Sequence, residues 1–322
     1  MTTTIDRVLR SNLKLKHLQL LIALDQFRHL GQTAQFLSVS QPAVSKTLGE
    51  IERMFEARLF LRSTKGTEPT PTGETVIRFA RHVIAQYEKT RDALQLTHEG
   101  SAGRVSVGAM VVATPVLLAQ AMLRFKQAMP AATVLIEEGD LTRLLPRLRM
   151  GELDFIVGRL EPGYAAPDLH TEALCQEPMC LICAPQHPLA ALKRVGWAQL
   201  QAQRWVMPPP WATSRAKLHQ LFYKNRLNPP SDCVESASFL VTLTQVQTQD
   251  AVGFVARNVG LSLQAQGLAH VLPVALPMDL PPLGLIRLSN QTPSPAVQSL
   301  VSAIRDVAVA WPQVSELTPK VG

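Results

Sequence analysis

Residues 38–55 read SVSQPAVSKTLGEIERMF, a polar turn followed by an amphipathic helix. Ser40 is positioned to cap the helix with its hydroxyl, and Pro42 lies in the first turn, where no intrahelical hydrogen bond is lost. Apolar side chains recur at spacings of four, three and four residues, at Val44, Leu48, Ile51 and Phe55. This spacing predicts a buried face on one side and a polar, exposed face on the other.

Two shorter helices are predicted before this segment, over residues 14–27 and 30–37, and a hairpin is predicted after it, over residues 59–70. The hairpin brings the cations Arg62 and Lys65 beside the polar helix face. Together these elements are typical of a winged helix-turn-helix, in which one helix enters the major groove while the wing lies along the phosphates. An ordinary three-helix bundle is the alternative, and it leaves the cationic hairpin unexplained.

A single long helix is predicted over residues 72–97. Its side chains alternate by four and three residues along one seam, at Val76, Ala80, Val83, Tyr87, Thr90 and Leu94. Such a heptad seam favours pairing with a helix of a second chain. Packing of the seam against its own domain is the alternative.

Beyond residues 99–103, which we interpret as a hinge, strands and helices alternate. Strands are predicted over 104–108, 133–138, 155–158, 179–184, 205–207 and 252–256. Helices are predicted over 115–129, 141–150, 212–225, 239–247 and 296–309. The alternation predicts an α/β layer with mainly parallel strands.

The positive net charge of the chain favours a polyanionic partner. Lys plus Arg number 32 against 25 Asp plus Glu, a net charge of +7, and residues 1–70 alone carry 10 basic and 6 acidic side chains. No apolar run has the length and purity of a membrane span, and the amino terminus has no signal-peptide pattern, so we expect a cytoplasmic protein without membrane contact. The pair Cys180 and Cys183 lies in a predicted buried strand, which favours structural thiols over a redox or metal role.

The stretch Val39 to Lys46, preceded by Thr33-Ala34 and followed by Leu59-Phe60 and by Thr70-Pro71-Thr72-Gly73, closely resembles the LysR-type bacterial transcriptional regulators. The resemblance implies a winged helix-turn-helix DNA-binding domain over residues 1–70, a linker helix for dimerisation over 71–99 and an effector-binding domain over 100–322. That last domain would have a periplasmic-binding-protein-like fold of two α/β subdomains, subdomain I near 103–183 with 268–322 and subdomain II near 184–267.

The resemblance carries DNA contacts onto Gln41, Pro42, Ser45, Lys46, Arg62 and Lys65. Gln41 is suited to an adenine edge and Pro42 to a thymine methyl, whereas the cations supply charge to phosphates. Lys46 stands where many members carry Arg, and this replaces a bidentate fork by a point charge. The basic residues of the first 16 positions form either an arm on DNA or a disordered tail.

The family's effector lies between the two subdomains, at the carboxyl ends of strands. The residues that fit this place here are Val112, Thr114, Asp140, Trp211, Thr213, Ser214, Ser236 and Phe239. Arg215, next to the two hydroxyls that open a helix, is suited to hold an anionic group. Each hydroxyl is equally suited to be a plain helix cap.

The sequence therefore predicts a ligand-responsive regulator that binds double-stranded promoter DNA as a homodimer or homotetramer, with no cofactor and no metal. The effector would be an organic acid, an aromatic carboxylate or a sugar. An enzyme is the first alternative, but nucleophile, phosphate-loop and zinc motifs are missing. A solute-binding protein is the second, and it leaves the first 70 residues unexplained. Promoter identity and the choice between activation and repression stay open.

Overall fold

The structure is a computed structural model that describes residues 13–63, 66–99, 103–248 and 250–311, without the side chains of 89 and 92–99. The chain divides into two compact units. The first runs to Gly103 and includes Arg149–Leu153, and the second contains Arg104–Leu148 and the chain from Asp154 onward.

The first unit is built on three short helices, α1 (Leu15–Phe27), α2 (Leu30–Phe36) and α3 (Gln41–Met54). The Ser40 hydroxyl caps α3, because its oxygen accepts a hydrogen bond from the Ala43 amide at 3.3 Å. The predicted apolar face of α3 is confirmed, since Val44, Leu48 and Ile51 are fully buried. They share a core with side chains of α1 and α2.

A two-stranded hairpin follows, formed by β1 (Phe60–Ser63) and β2 (Gly66–Pro69), which pair antiparallel. The Glu52 carboxylate of α3 holds its start by accepting hydrogen bonds from the amides of Leu59 and Phe60 at 2.8 and 3.2 Å. At the far end Gly66 has a φ of +137°, and a Cβ there would lie 2.9 Å from the Arg28 carbonyl oxygen. Glycine is required because this backbone conformation disfavours side chains.

The long helix α4 spans Pro71–Glu99, close to its predicted range. The first part of the heptad seam is buried and the later part is more exposed. Val76 and Ala80 are buried within the first unit, and Val76 belongs to the core of the three short helices. From Val83, which is half-buried, to Tyr87, which is exposed, the seam becomes more accessible to solvent. The Leu94 side chain lies outside the described residues.

The second unit contains two five-stranded mixed sheets. The first sheet has the strand order β4-β3-β5-β12-β6. Its members are β3 (Arg104–Ala109), β4 (Thr133–Glu138), β5 (Phe155–Arg159), β6 (Leu169–Cys175) and β12 (Leu283–Leu288). The helices of this half are α5 (Ala119–Ala128), which continues a π-helical turn at Thr114–Leu118, α6 (Leu141–Arg149) and α11 (Pro295–Val309). We call this half subdomain I.

The second sheet has the strand order β11-β7-β10-β8-β9. Its members are β7 (Met179–Cys183), β8 (Trp205–Met207), β9 (Cys233–Glu235), β10 (Val252–Ala256) and β11 (His270–Val271). The helices of this half, which we call subdomain II, are α7 (Trp197–Gln201), α8 (Thr213–Lys224), α9 (Phe239–Thr248) and α10 (Arg257–Ala265). Its core is organised around Trp205 and Phe222, whose rings meet edge to face at 5.6 Å.

The six predicted strands and five predicted helices of this unit are present, but two expectations differ from the structure. Only β3 with β4 and β5, and β8 with β9 and β10, pair in parallel, while the described pairs of β7, β11 and β12 are antiparallel. The chain also crosses between the sheets at residues 176–178 and 272–282, not at 183/184 and 267/268, because β7 and β11 belong to the second sheet. We call these two segments the crossovers.

Candidate functional sites

The predicted DNA-contacting residues that the structure describes gather on one face of the first unit. Gln41 and Pro42 are exposed in the first turn of α3, Lys46 is exposed one turn later, and Ser45 between them is half-buried. The cap at Ser40 fixes where this helix begins and therefore which side chains its first turn presents. The face has a positive charge, hydrogen-bonding groups and a small apolar surface.

The hairpin contributes a second cation to this face. Arg62 is exposed on β1, and its Nη1 donates a hydrogen bond to the Ser45 hydroxyl at 3.0 Å. This bond joins the hairpin to α3 and holds the guanidinium beside the helix amino end. Lys65, the other predicted contact of the hairpin, lies outside the described residues, as do the first 12 residues of the chain.

In the second unit, two side-chain contacts join subdomain I to the segment at the beginning of α8 in subdomain II. The Thr213 hydroxyl donates to Glu161 Oε2 at 3.1 Å. The Trp211 indole N–H lies beside the Asp140 carboxylate and helps to lower the pKa of that carboxyl, which also accepts a hydrogen bond from the Thr142 hydroxyl. We call these two contacts the cross-cleft bonds. The bond from Thr142, followed by other hydrogen bonds, holds the pKa of Asp140 below its ordinary value, so the carboxylate is ionised at neutral pH.

Glu161 is the partner that sequence reasoning missed. It comes directly after Leu160 at the carboxyl end of β5, and the loops after β3 and β4 were assigned to the cleft by that same position. The rule that ligands bind at the carboxyl ends of the strands therefore applied equally to β5.

Trp211 is exposed over 71% of its surface even though its indole N–H lies beside the Asp140 carboxylate. Most of its surface is thus open to solvent, beside the Asp140 carboxylate and two residues before Thr213 in the chain. An exposed aromatic ring next to fixed hydrogen-bond acceptors can stack on an apolar ligand face while the acceptors bind ligand hydroxyl groups.

Four of the other predicted effector residues have structural partners of their own. Val112 and Phe239 both pack against an apolar cluster of subdomain II. Thr114 donates to the Met110 carbonyl at 3.3 Å, and Ser236 accepts from the Ser238 amide at 3.0 Å. Ser214 is half-buried in the first turn of α8.

The expectation that Arg215 holds an anionic ligand is wrong. Its side chain is buried and already engaged: Nη2 forms an ion pair with Glu235 at 2.7 Å and Nη1 donates to the Pro208 carbonyl at 2.9 Å. The third nitrogen, Nε, donates to His219 Nε2 at 3.2 Å. Burial of His219, followed by the charge of Arg215, lowers the pKa of this imidazole, which keeps it neutral and able to accept. The arginine therefore positions α8 on β8 and β9.

Comparison with protein families identifies both units. Residues 15–74 match the bacterial regulatory helix-turn-helix protein model of the lysR family, and residues 98–309 match the LysR substrate binding domain model. The chain belongs to the LysR family of transcriptional regulators.

Two relatives of this LysR-family regulator are HTH-type transcriptional regulators. GbpR of Azospirillum brasilense is 31% identical, with 92% of this chain and 87% of GbpR covered. GalR of Pseudomonas putida is also 31% identical, with 91% of this chain and 73% of GalR covered. The chain is thus a DNA-binding transcriptional regulator with an effector-binding domain.

Solved structures show the same fold. CbnR, a LysR family regulator, superposes with a TM-score of 0.70 at 19% identity, with 92% of this chain and 99% of CbnR covered. A full-length OxyR variant from Pseudomonas aeruginosa superposes with a TM-score of 0.62 at 23% identity, covering 92% of this chain and 95% of OxyR.

Three features of this LysR-family regulator bear on alternative roles. Among the described residues, no group of three His, Cys, Asp or Glu side chains could hold a metal ion. Within the same ranges, no helix is long and apolar enough to cross a membrane. Cys180 and Cys183 are buried free thiols, and burial raises the pKa of each to about 12.

Proposed function

We propose that the chain senses a small uncharged polyhydroxylated molecule, such as a sugar, between subdomains I and II, and that it binds promoter DNA through α3 and the β1–β2 hairpin. The cross-cleft bonds carry the first part of this proposal. In both of them a carboxylate of subdomain I faces a neutral donor of subdomain II, and the Thr213 hydroxyl donates to Glu161 at 3.1 Å.

Of the three effector classes suggested by the sequence, the sugar fits this chemistry best. A ligand that enters between the bonded groups must offer donors to Asp140 and Glu161 in place of the indole and the threonine hydroxyl. Sugar hydroxyl groups replace neutral donors with neutral donors, whereas a ligand carboxylate would be placed beside two acidic side chains. Arg215, the arginine that the sequence suggested for balancing such a charge, is paired with Glu235.

A ligand screen tests the class and the place. We expect sugars to raise the melting temperature of the intact protein, because a ligand that binds only the folded state stabilises it by about 2.7 kcal/mol at 100 times its Kd. Thr213→Val should enlarge the shift, since it removes the hydroxyl that competes with the ligand's donors for the Glu161 carboxylate. Thr248→Val is the matched control, because that hydroxyl donates only to the Thr244 carbonyl within α9.

Aromatic carboxylates and small dicarboxylates belong in the same screen. A melting-temperature rise with one of these acids and with no sugar would contradict the proposed class. A sugar response that survives Thr213→Val unchanged would contradict the proposed place.

The DNA contacts are proposed at Gln41, Pro42, Ser45, Lys46, Arg62 and Lys65. For Lys46 the support is its exposure near the helix amino end and its place next in the chain to Ser45, which binds the guanidinium of Arg62. A lysine on a phosphate contributes about 0.9 to the slope of log affinity against log salt. Lys46→Ala should therefore reduce the slope by about 0.9, so that the affinity ratio of wild type to variant falls about 3.5-fold between 50 and 200 mM salt.

Fluorescence anisotropy with a duplex selected from a random pool measures this slope. Lys126→Ala, an exposed lysine of α5 in the other unit, is the control and should leave the slope unchanged. An unchanged slope in Lys46→Ala would remove this residue from the interface.

We further propose a homodimer through α4 that associates into a homotetramer, acting in the cytoplasm, where a bacterial regulator meets the chromosome. The support is the open part of the seam, where Tyr87 is exposed over 48% of its surface. Tyr87→Glu should shift the sedimentation coefficient of the intact protein towards the monomer, whereas Glu88→Gln on the neighbouring face should not.

A further inference from the structure

Two buried charged side chains lie at the junction of subdomains I and II and belong neither to the DNA face nor to the cross-cleft bonds. Glu177, in the first crossover, is 1% exposed, and Arg159, the last residue of β5, is 4% exposed. Burying a charged group costs free energy unless hydrogen bonds or an opposite charge compensate for it. Their partners therefore show what the two charges stabilise.

The Glu177 carboxylate accepts hydrogen bonds from both subdomains. Oε1 accepts from the Asn258 backbone amide at 2.9 Å, and Oε2 accepts from the Asn258 side-chain amide at 2.7 Å. Asn258 lies in the first turn of α10, in subdomain II. Oε2 also accepts from the Trp311 indole at 2.6 Å, and Trp311 follows α11 of subdomain I.

Arg159 joins the two crossovers directly. Its Nη2 donates to the Glu177 backbone carbonyl at 2.7 Å, in the first crossover. Its Nη1 donates to the Pro281 carbonyl at 2.8 Å, in the second. We call Glu177, Arg159, Asn258 and Trp311 the hinge clamp.

A change in the angle between the subdomains must alter backbone torsions in these crossovers. The bonds of the hinge clamp are short and directional, so rotation would lengthen them and leave buried charged groups incompletely bonded. The energetic cost of that state opposes rotation.

We infer that Glu177 is a positioning residue that fixes the angle between the two effector-binding subdomains in the absence of ligand. An effector that changes the angle between the subdomains would then have to lengthen the bonds of the hinge clamp. The strength of these bonds would set how large the change in angle is and how easily the effector produces it. This regulatory role rests on the proposed effector site, whereas the geometry of the clamp does not.

The test is the distance distribution between the subdomains, measured by spin labelling in the intact protein without ligand or DNA. Labels are introduced by Gln127→Cys on α5 and Gln220→Cys on α8, two exposed sites on different subdomains. The half-buried Cys175 and Cys233 are replaced by serine in this background.

Glu177→Gln keeps the shape of the side chain but replaces one acceptor oxygen by a donor that faces other donors. We expect the distance distribution to broaden or shift relative to wild type. Glu172→Gln is the matched control and should leave the distribution unchanged. Its carboxylate accepts two hydrogen bonds from Arg305, at 2.7 and 2.8 Å, and both residues lie in subdomain I.

A distribution in Glu177→Gln that matches wild type and the control, with or without a lower melting temperature, would overturn the inference, because the carboxylate would then be only structural. If Glu177→Gln does not fold, Trp311→Phe removes one donor and keeps the other two bonds, and it must broaden or shift the distribution. Failure of the ligand screen would leave this measurement unaffected, so the two proposals fail separately.

Discussion

Replacing Gly73 by alanine should strongly destabilise the DNA-binding unit. Gly73 lies in the first turn of α4, and a Cβ at this position would be 2.0 Å from the Leu59 backbone oxygen and 2.9 Å from its carbonyl carbon. A carbon and a carbonyl oxygen approach to about 3.3 Å even in weak hydrogen bonds. The start of α4 must therefore move by about 1.3 Å away from the segment that leads into β1.

The bonds that such a movement breaks determine the magnitude. The Thr70 amide donates to the Leu59 carbonyl at 2.9 Å, the Thr70 hydroxyl donates to the Arg58 carbonyl at 2.7 Å, and the Gly73 amide donates to that hydroxyl at 3.0 Å. Three hydrogen bonds at about 1 kcal/mol each, with about 1–3 kcal/mol for repacking buried Val76, give about 4–6 kcal/mol. This is a large share of the stability of about 5–15 kcal/mol that a folded domain has.

Amide hydrogen exchange with mass spectrometry measures this loss locally, which matters because a chain with two units does not unfold in one step. Peptides from α3 and β1 should lose about 700-fold in protection if the cost is about 4 kcal/mol. Gly49→Ala is the control. Its Cβ would meet no atom within 4 Å, so we expect a gain of about 0.5–1 kcal/mol from helix propensity. Wild-type protection in Gly73→Ala, alongside the gain in Gly49→Ala, would refute the steric reasoning.

Three further results are expected. Iodoacetamide at pH 8 should leave Cys180 and Cys183 unmodified in the folded protein and modify both in denaturant. The reason is that a thiol pKa of about 12 leaves about one thiolate in ten thousand at this pH. Labelling of the folded protein, detected by mass spectrometry, would argue against the burial of these thiols. In DNA binding, Arg62→Ala and Ser45→Ala should be non-additive by about 0.5–1.5 kcal/mol, since each removes the same hydrogen bond; additive losses would mean that the bond is absent on DNA. Glu52→Ala should lower the free energy that protects the hairpin amides from exchange by about 1.5–3 kcal/mol, because the Glu52 carboxylate accepts hydrogen bonds from two backbone amides. An unchanged exchange rate would exclude that role.

The DNA-binding unit could be predicted from sequence because its signals are local. The cap at Ser40 and the spacing of Val44, Leu48 and Ile51 are properties of neighbouring residues, and they specify a helix with a defined buried face. The same reasoning placed the polar face of α3 and the strand–helix alternation of the second unit. It did not show that α1 covers the first half of the heptad seam, because that depends on where α4 packs.

The mixed sheets could not be derived in the same way. β12 is an apolar strand of ordinary length, but its partners β5 and β6 lie more than 100 residues earlier in the chain. A strand pattern specifies which side chains face a core, and it carries no information about which distant strand supplies the hydrogen bonds.

The effector region shows the same division most clearly. The sequence alone determined that the loops after the strands carry Asp140, Trp211 and Thr213, because strand ends can be read from local pattern. Only the tertiary structure joined Thr213 to Glu161, turned Arg215 towards Glu235 and placed Trp311 on Glu177. These bonds link residues that are far apart in the chain, and their partners are chosen by how the two sheets pack rather than by neighbouring residues.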